Sequence, residues 1–419
     1  MLDVKLLREN PELVRKALKE RGVSANLDAI LKLEERRREL LTRIEQERHE
    51  LKLASDDFAR QKGKEKTKTP VHLKQLSDDV QEKEQQLKQL EEGITKELAF
   101  LPNIPHSSVP VGDAKGNKVI RTVGEKPSFK FAPKTHVDIA DQLGLLDLER
   151  AAKITGSHFP LYTGWGARLE RALINWMLDV QTKEHGYTEI SPPYLVNRES
   201  MIGTGQLPKF EEDMYKLKDD DLFLVPTAEV PVTNLHRDEI LDEAKLPIKY
   251  TAYSACFRRE AGSYGKETRG LVRVHQFDKV ELVKFTTPES SYDEHEKLLA
   301  DAETILKRLG LHYRVVCLAT GDLGFSAAKC YDLEAWAPGL NQYLEVSSCS
   351  NFESFQARRA NIRYRQAATK KVGYVHTING SGVALARTLI CFLETHQRTD
   401  GSIFLPEPLR PYLDGKDCL

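Results

Sequence analysis

Residues 257–277 read FRREAGSYGKETRGLVRVHQF, and the reading of this stretch decides the fold. Two alternating segments, YSACFRRE (253–260) and LVRVHQF (271–277), flank AGSYGKETRG, a pattern that predicts a strand, a long loop and a return strand. Side chains alternate with period two along a strand, so Arg258 and Glu260 share one face, and Arg273, His275 and Phe277 share a face of the partner. Such a face makes a poor core. It suits a nucleotide, because guanidinium forks match phosphate oxygens and an aromatic ring stacks on a base. The bland alternative is a solvated outer sheet face. GSYGKET (262–268) imitates the end of a phosphate-binding P-loop, but the first glycine of that pattern would fall on Glu260, and no GxGxxG fingerprint occurs. A nucleotide held by this chain would therefore rest on a sheet.

Around this stretch, 419 residues with 40% hydrophobic content are enough for two or three domains and at least one sizeable core. Lys and Arg (62) nearly cancel Asp and Glu (63), so any nucleic-acid partner must be met by a local basic patch rather than by a global field. The cysteines, at 256, 317, 330, 349, 391 and 418, form no CxxC pair, which argues against a disulfide framework or a zinc knuckle. MLDVKLLRENPELVRKAL at the start mixes charge with apolar residues unlike a secretory signal, and no apolar run approaches the ~20 residues of a membrane span. A cytoplasmic protein without membrane association is expected.

Two further clusters carry chemistry. In YLEVSSCSNFESFQARR (343–359), Glu345 with Ser347 and Ser348 can offer a carboxylate and a hydroxyl to a magnesium ion, though taken alone the pattern is that of an edge strand. In NGSGVALARTLICFLE (379–394), Gly380 and Gly382 predict a tight turn, followed by a helix whose buried face is Val383, Ala386, Ile390 and Leu393. Arg387 adjoins that stripe, where a charge is costly unless it is paired or faces a ligand.

The N-terminal part has a different rhythm. Ile30, Ile44, Leu51 and Phe58 keep a seven-residue beat broken by Arg37, with Leu33, Leu40 and Ala54 on a second track. Leu73, Val80, Leu87, Ile94 and Leu101 repeat it, beside Leu76 and Leu90. Each run needs another helix to cover its seam. QKGKEKTKTP (61–70) breaks the helix, so the runs form an antiparallel hairpin roughly 50 Å long with lysines at 62, 64, 66 and 68 near its tip. A dimerisation or spacer coiled coil and a strut presenting lysines to phosphates both remain open. LPNIPHSSVPVGDAKGN (101–117) reads as a linker, with the body starting near residue 110. In the body, Leu169, Leu173, Trp176 and Val180 stripe one helix, ended by His185 and Gly186. Strands are expected at 187–190, 222–225, 251–257, 271–276, 279–285, 312–318 and 343–349, in an α+β domain with an antiparallel-dominated sheet.

In this order, HGYTEISPPYLV (with Pro193), FRRE…RVHQF and GVALARTLICFLE resemble the three signature motifs of class II aminoacyl-tRNA synthetases. With the helical arm and PTAE (226–229), the chain resembles the bacterial-type seryl-tRNA synthetases over essentially its whole length. The resemblance implies a class II catalytic domain, an antiparallel sheet flanked by helices, at 106–419. It also implies a helical tRNA-binding domain at 1–105 with a coiled-coil arm at about 28–100. It implies ATP-dependent activation of L-serine and transfer to the 3′ end of tRNA(Ser), with tRNA(Sec) as a further acceptor, by a homodimer.

By the same resemblance, ATP falls to Arg258, Arg259, Glu260, Val274, Phe277, Glu345, Val346, Ser347, Ser348 and Arg387. Arg258 takes the α-phosphate, Glu260 the adenine amino group, Phe277 the ring and Arg387 the γ-phosphate, while Glu345 and Ser348 hold Mg²⁺; Arg258, Glu345 and Arg387 are the catalytic set. Serine falls to Thr227, Ala228, Glu229, Arg258, Glu281, Asn379 and Ser381. No zinc is implied, because no Cys/His ligand set matches. Two other readings keep the fold but not the function: a relative that loads a carrier protein, which lacks the arm, and a catalytically silent RNA-binding or scaffold protein, which has no reason to keep the charged cavity.

Overall fold

The structure, a computed structural model, describes residues 1–61, 71–261 and 269–419. The lysines at 62, 64, 66 and 68 and most of the loop expected at 261–270 lie outside the described residues. The chain divides into two compact units, Met1–Leu101 and Pro102–Leu419. Among the described residues no helix is long and apolar enough to cross a membrane.

In the first unit, α1 (Val4–Glu9) and α2 (Pro11–Glu20) precede two long helices, α3 (Leu27–Gln61) and α4 (Val71–Leu98). Asn10 caps α2 by accepting from the Leu13 amide, and Pro11 fills the first helical position, where an amide would be unpaired anyway. The seven-residue beat is buried as expected at Ile30, Ile44, Leu73, Val80 and Ile94. The helices run antiparallel: Arg37 pairs with Glu91 at 2.9 Å, Arg48 with Glu84 at 2.6 Å, and Glu47 with Lys83 at 2.8 Å. Arg37, which interrupts the seam, is thus turned out of it onto Glu91 of the opposite helix. Beside it a gap opens between Leu33, Leu40 and Leu90.

In the second unit the helices are α5 (His136–Leu143), α6 (Leu148–Thr155), α7 (Gly164–Lys183), α8 (Arg198–Thr204), α9 (Glu229–Thr233), α10 (Ser291–Arg308), α11 (Phe355–Arg359) and α12 (Leu385–His396). The strands, in chain order, are β1 (Lys118–Val123), β2 (Thr188–Glu189), β3 (Leu195–Asn197), β4 (Leu222–Leu224), β5 (Ile240–Asp242), β6 (Ile248–Phe257) and β7 (Gln276–Thr286). They continue with β8 (Tyr313–Cys317), β9 (Lys329–Ala337), β10 (Gln342–Glu353), β11 (Arg363–Arg365), β12 (Val372–Tyr374) and β13 (His376–Ala384). Eight of them form one sheet in the order β1-β8-β9-β10-β13-β7-β6-β2, antiparallel throughout except for the β2–β6 edge. The stripe Leu169, Leu173, Trp176 and Val180 of α7 is buried in the main core together with Leu298 and Leu306 of α10, Leu389 and Phe392 of α12, and Val280 and Leu282 of β7.

Three expectations need correction. Residues 271–276 are not a strand: β7 begins only at Gln276, and Arg258 and Glu260 lie just past the end of β6, with Glu260 at φ +51°. Leu271 and Val274 are buried in the core, so the segment follows its apolar anchors rather than a period of two. Residues 379–384 are not a turn but the end of the central strand β13, and Val383 lies in that strand rather than on α12. A Cβ on Gly380 would come within 2.4 Å of Leu298 Cδ2 and 2.9 Å of Cys349 Sγ, so close packing is what requires glycine there. The stretch 101–117 is no free linker, because the buried Asn103 side chain donates to Ser326 O (3.0 Å) and Phe352 O (2.8 Å) and Val109 packs with Val316 and Phe352.

Candidate active site

One face of the central strands lies under the core helices, and the other floors a cavity of about 420 Å³. This explains the sequence of β7: Val280 and Leu282 enter the core, while Lys279 and Glu281, one step out of phase, line the cavity. Of the residues assigned to ATP and serine, the cavity gathers Thr227, Glu229, Arg258, Glu260, Val274, Phe277 and Glu281. It also gathers Glu345, Val346, Ser347, Ser348, Asn379, Ser381 and Arg387. Two do not line it: Arg259 is exposed, with its amide donating to Asp213 O, and Ala228 is buried in the apolar cluster around Phe285 and Tyr364. Sequence reasoning left out Lys279, Ser350, Gln206 and Phe325, which do line it. The last two come from loops without periodicity; Lys279 could have been found, since it shares a strand face with Glu281.

At one end the groups are cationic. The Arg258 guanidinium lies 5.1 Å from the Phe277 ring centroid and donates from Nε to Pro226 O at 3.4 Å. Arg273 pairs with Glu260. Arg387, in the first turn of α12, donates from Nε to Val272 O (3.2 Å) and from Nη1 to Glu345 O (3.1 Å), with Glu345 Oε2 at 3.4 Å. Simple alternation would put Glu345 and Ser348 on opposite faces. A β-bulge between Glu345 and Ser347 shifts the register on β9, so both reach the cavity. Ser347, between them, also lines the cavity but is almost fully buried, its hydroxyl donating to Ser381 O at 2.6 Å. Below them the Asp332 carboxyl is pushed up by burial and by the charge of Glu345. A second bulge, between Ser381 and Ala384 with Val383 at φ +132°, ends β13 where α12 begins.

The other end is a deep acidic pocket. Glu281 is 1% exposed, and its Oε2 accepts from Thr227 Oγ1 at 2.8 Å and pairs with Lys279 Nζ at 2.5 Å. Ser381 sits directly opposite Glu281 across β13 and β7. Glu229 starts α9; its amide donates to Thr227 Oγ1 (3.1 Å) and its Oε1 accepts from Gln356 Nε2 (2.6 Å). Gln356 is itself held by Thr377 Oγ1 at 2.7 Å. Burial, reinforced by the neighbouring charge of Glu281, pushes the Glu229 carboxyl up to about 7.

An antiparallel sheet carrying cationic forks, an exposed acid and an aromatic ring above its central strands defines the catalytic core of a class II aminoacyl-tRNA synthetase. Residues 210–396 match the family model described as "tRNA synthetase class II core domain (G, H, P, S and T)", and residues 1–105 match "Seryl-tRNA synthetase N-terminal domain". The chain is 54% identical over 422 residues to the serine–tRNA ligase of Desulforapulum autotrophicum, covering 100% of this chain and 99% of that protein. It is 56% identical over 427 residues to that of Geobacillus kaustophilus, covering 100% of both. The crystal structure of seryl-tRNA synthetase from Pyrococcus horikoshii complexed with ATP is similar, with a TM-score of 0.91, 40% identity, and 100% and 99% of the two chains covered. The chain belongs to the seryl-tRNA synthetase family.

Proposed function

We propose that this enzyme couples L-serine to ATP, releasing pyrophosphate, and then passes the seryl group to a ribose hydroxyl of the terminal adenosine of tRNA(Ser), and also of tRNA(Sec). The observation that carries the reading is the meeting of Arg258, Glu345 and Arg387 with the buried Thr227–Glu229–Glu281 group in one cavity. The Pyrococcus horikoshii relative is complexed with ATP, which supports ATP as a ligand here.

In the first step the serine carboxylate attacks the α-phosphorus and pyrophosphate leaves. The nucleophile is already ionised, so positioning and fixed charge supply the catalysis. Arg258 meets the charge that grows on the α-phosphate, Phe277 stacks on the adenine that Glu260 and Val274 hold, and Arg387 grips the γ-phosphate. Arg259, exposed and outside the cavity lining, acts on the nucleotide from there.

The Glu345 carboxylate and Ser348 hydroxyl are hard oxygen donors on one side of the bulged strand, a set that fits Mg²⁺ with phosphates and water completing its shell. Bound there, the ion would neutralise phosphate charge. Glu229 and Thr227 receive the α-ammonium, Glu281 with Ser381 takes the hydroxyl, Asn379 lies nearby, and Ala228 contributes through its backbone and packing. A pocket that pairs a hydroxyl rejects alanine and glycine by leaving its own polar groups unpaired. The helical arm contacts the tRNA, and the enzyme works as a homodimer in the cytoplasm.

Amino-acid-dependent exchange of pyrophosphate into ATP tests this reading: serine alone should support exchange, without tRNA. No exchange with any amino acid would favour a silent scaffold. Sedimentation equilibrium reads the dimer, a monomer at working concentration being the adverse result.

A further inference from the structure

Lys279 has no task in the scheme above, yet it is 6% exposed on the floor of the amino-acid pocket. A lysine at this depth costs several kcal/mol unless it is paired. We propose that Lys279 is a specificity-determining residue: it fixes Glu281 as an acceptor with one oxygen occupied and the other reserved for the side-chain hydroxyl of the amino acid. The inference rests on the serine reading of the same site.

The hydrogen-bond inventory carries it. Thr227 Oγ1 accepts from Lys279 Nζ at 2.9 Å and from the Glu229 amide at 3.1 Å, and spends its single proton on Glu281 Oε2 at 2.8 Å. That hydroxyl is saturated, so what Thr227 offers the ammonium is its backbone carbonyl. Glu281 Oε2 is doubly occupied, by Thr227 and by Lys279. Among the described residues Glu281 Oε1 has no hydrogen-bond partner, and the carboxylate lines the cavity opposite Ser381. An ionised carboxylate only accepts, so the one ligand group that satisfies Oε1 is a donor.

Charge matching points the same way. An amino acid arrives with one ammonium and one carboxylate, and the pocket holds Glu229 and Glu281 against Arg258 and Lys279. Without Lys279, two buried carboxylates would share the pocket and one would take up a proton. With one of the two carboxyls protonated, the pocket no longer offers a fixed acceptor, and the reason to prefer a hydroxyl-bearing substrate goes with the charge. The other titratable groups facing this pair are Cys256 on β6 and Cys349 on β10, besides Glu229 from α9 and Arg258 beyond β6.

Pyrophosphate exchange by the full-length enzyme, with serine and alanine compared between about pH 6 and 9, tests the proposal. K279Q keeps a donor for Thr227 and drops the charge. It should raise the serine KM and lower the serine-over-alanine ratio of kcat/KM, each by about tenfold or more, leaving the ATP KM within about twofold. The loss should deepen as the pH falls. K279M/E281Q removes both charges of the pair together, so it reads the coupling even where a single variant fails to fold, and its serine-over-alanine ratio should equal that of E281Q alone. An unchanged ratio in K279Q overturns the proposal. So does a lysine effect that persists in full on the E281Q background, or a double variant that melts below assay temperature, which would make Lys279 structural. A wild-type enzyme that exchanges with another amino acid and not with serine defeats the serine reading instead.

Discussion

Glu229 and Glu281 are both buried in one pocket, yet they are held differently: Glu281 has Lys279 at 2.5 Å, whereas Glu229 has only the neutral amide of Gln356 at 2.6 Å. The Glu229 carboxyl accordingly stands at about 7, first through burial and then through repulsion from Glu281. An ammonium ligand needs it ionised, so the serine KM should rise as the pH falls below about 7, approaching tenfold per unit. E229Q should bind serine poorly and flatten that profile; a profile unchanged in E229Q would take Glu229 out of the site. The sign for stability is opposite. A carboxylate raised in the folded state binds a proton there that the unfolded chain releases, so its contribution is favourable at low pH and lost as the pH rises towards about 7. E229Q should therefore raise the Tm at pH 8 and leave it nearly unchanged at pH 5. Arg387 makes a different kind of claim. Its pairing with Glu345 explains how the charge is tolerated in the free enzyme, and its proposed work is on the phosphates. R387A should lower kcat/KM for exchange by about tenfold or more, as a loss of ~1.4 kcal/mol in the transition state would, and near-native rates would make the residue structural.

At the scale of the element, β13 shows what could and could not be read from the sequence. Its glycines look like a turn, because glycine is the usual marker of one, but Gly380 lies between β7 and β10 with Leu298 pressed onto it. Only the neighbouring chains, distant in sequence, reveal the reason. G380A should cost about 1–3 kcal/mol through overpacking, measured by denaturant unfolding, while a cost near zero would mean that α10 can retreat. The same limit explains the misreading at 271–276, where apolar anchors override an apparent alternation, and the omission of β9, whose KCYDLEAWA carries charges that a strand pattern does not lead one to expect. Local periodicity was a better guide where the partner is also local: the seams of α3 and α4 and the stripe of α7 were legible because each repeats over many turns. The residues that meet in the candidate cavity are marked in the sequence by motif order rather than by geometry. Period two would have separated Glu345 from Ser348, and only the bulge after Glu345 brings both to the cavity.

At the scale of the molecule, the proposed function divides labour between the two units. Every residue lining the cavity falls between Thr204 and Arg387, and all belong to the unit Pro102–Leu419. The long helices of the first unit bury their seams against each other, so removing both together leaves neither seam bare. The cut belongs at Pro102 rather than later, because Asn103 is tied to Ser326 and Phe352 of the catalytic unit. A chain beginning at Pro102 should keep serine-dependent pyrophosphate exchange within about threefold of the full enzyme, since neither positioning nor charge in the cavity has changed. Aminoacylation of tRNA(Ser) should fall by orders of magnitude if, as proposed, the arm carries the phosphate contacts that bring a large anion to the enzyme. The full-length enzyme's tRNA affinity should also weaken steeply with added salt, and the truncated chain should lose most of that dependence. Equal loss of exchange and aminoacylation, in a truncated protein that still melts cooperatively, would mean that the first unit shapes the cavity itself, and the separation of roles between arm and sheet would have to be abandoned.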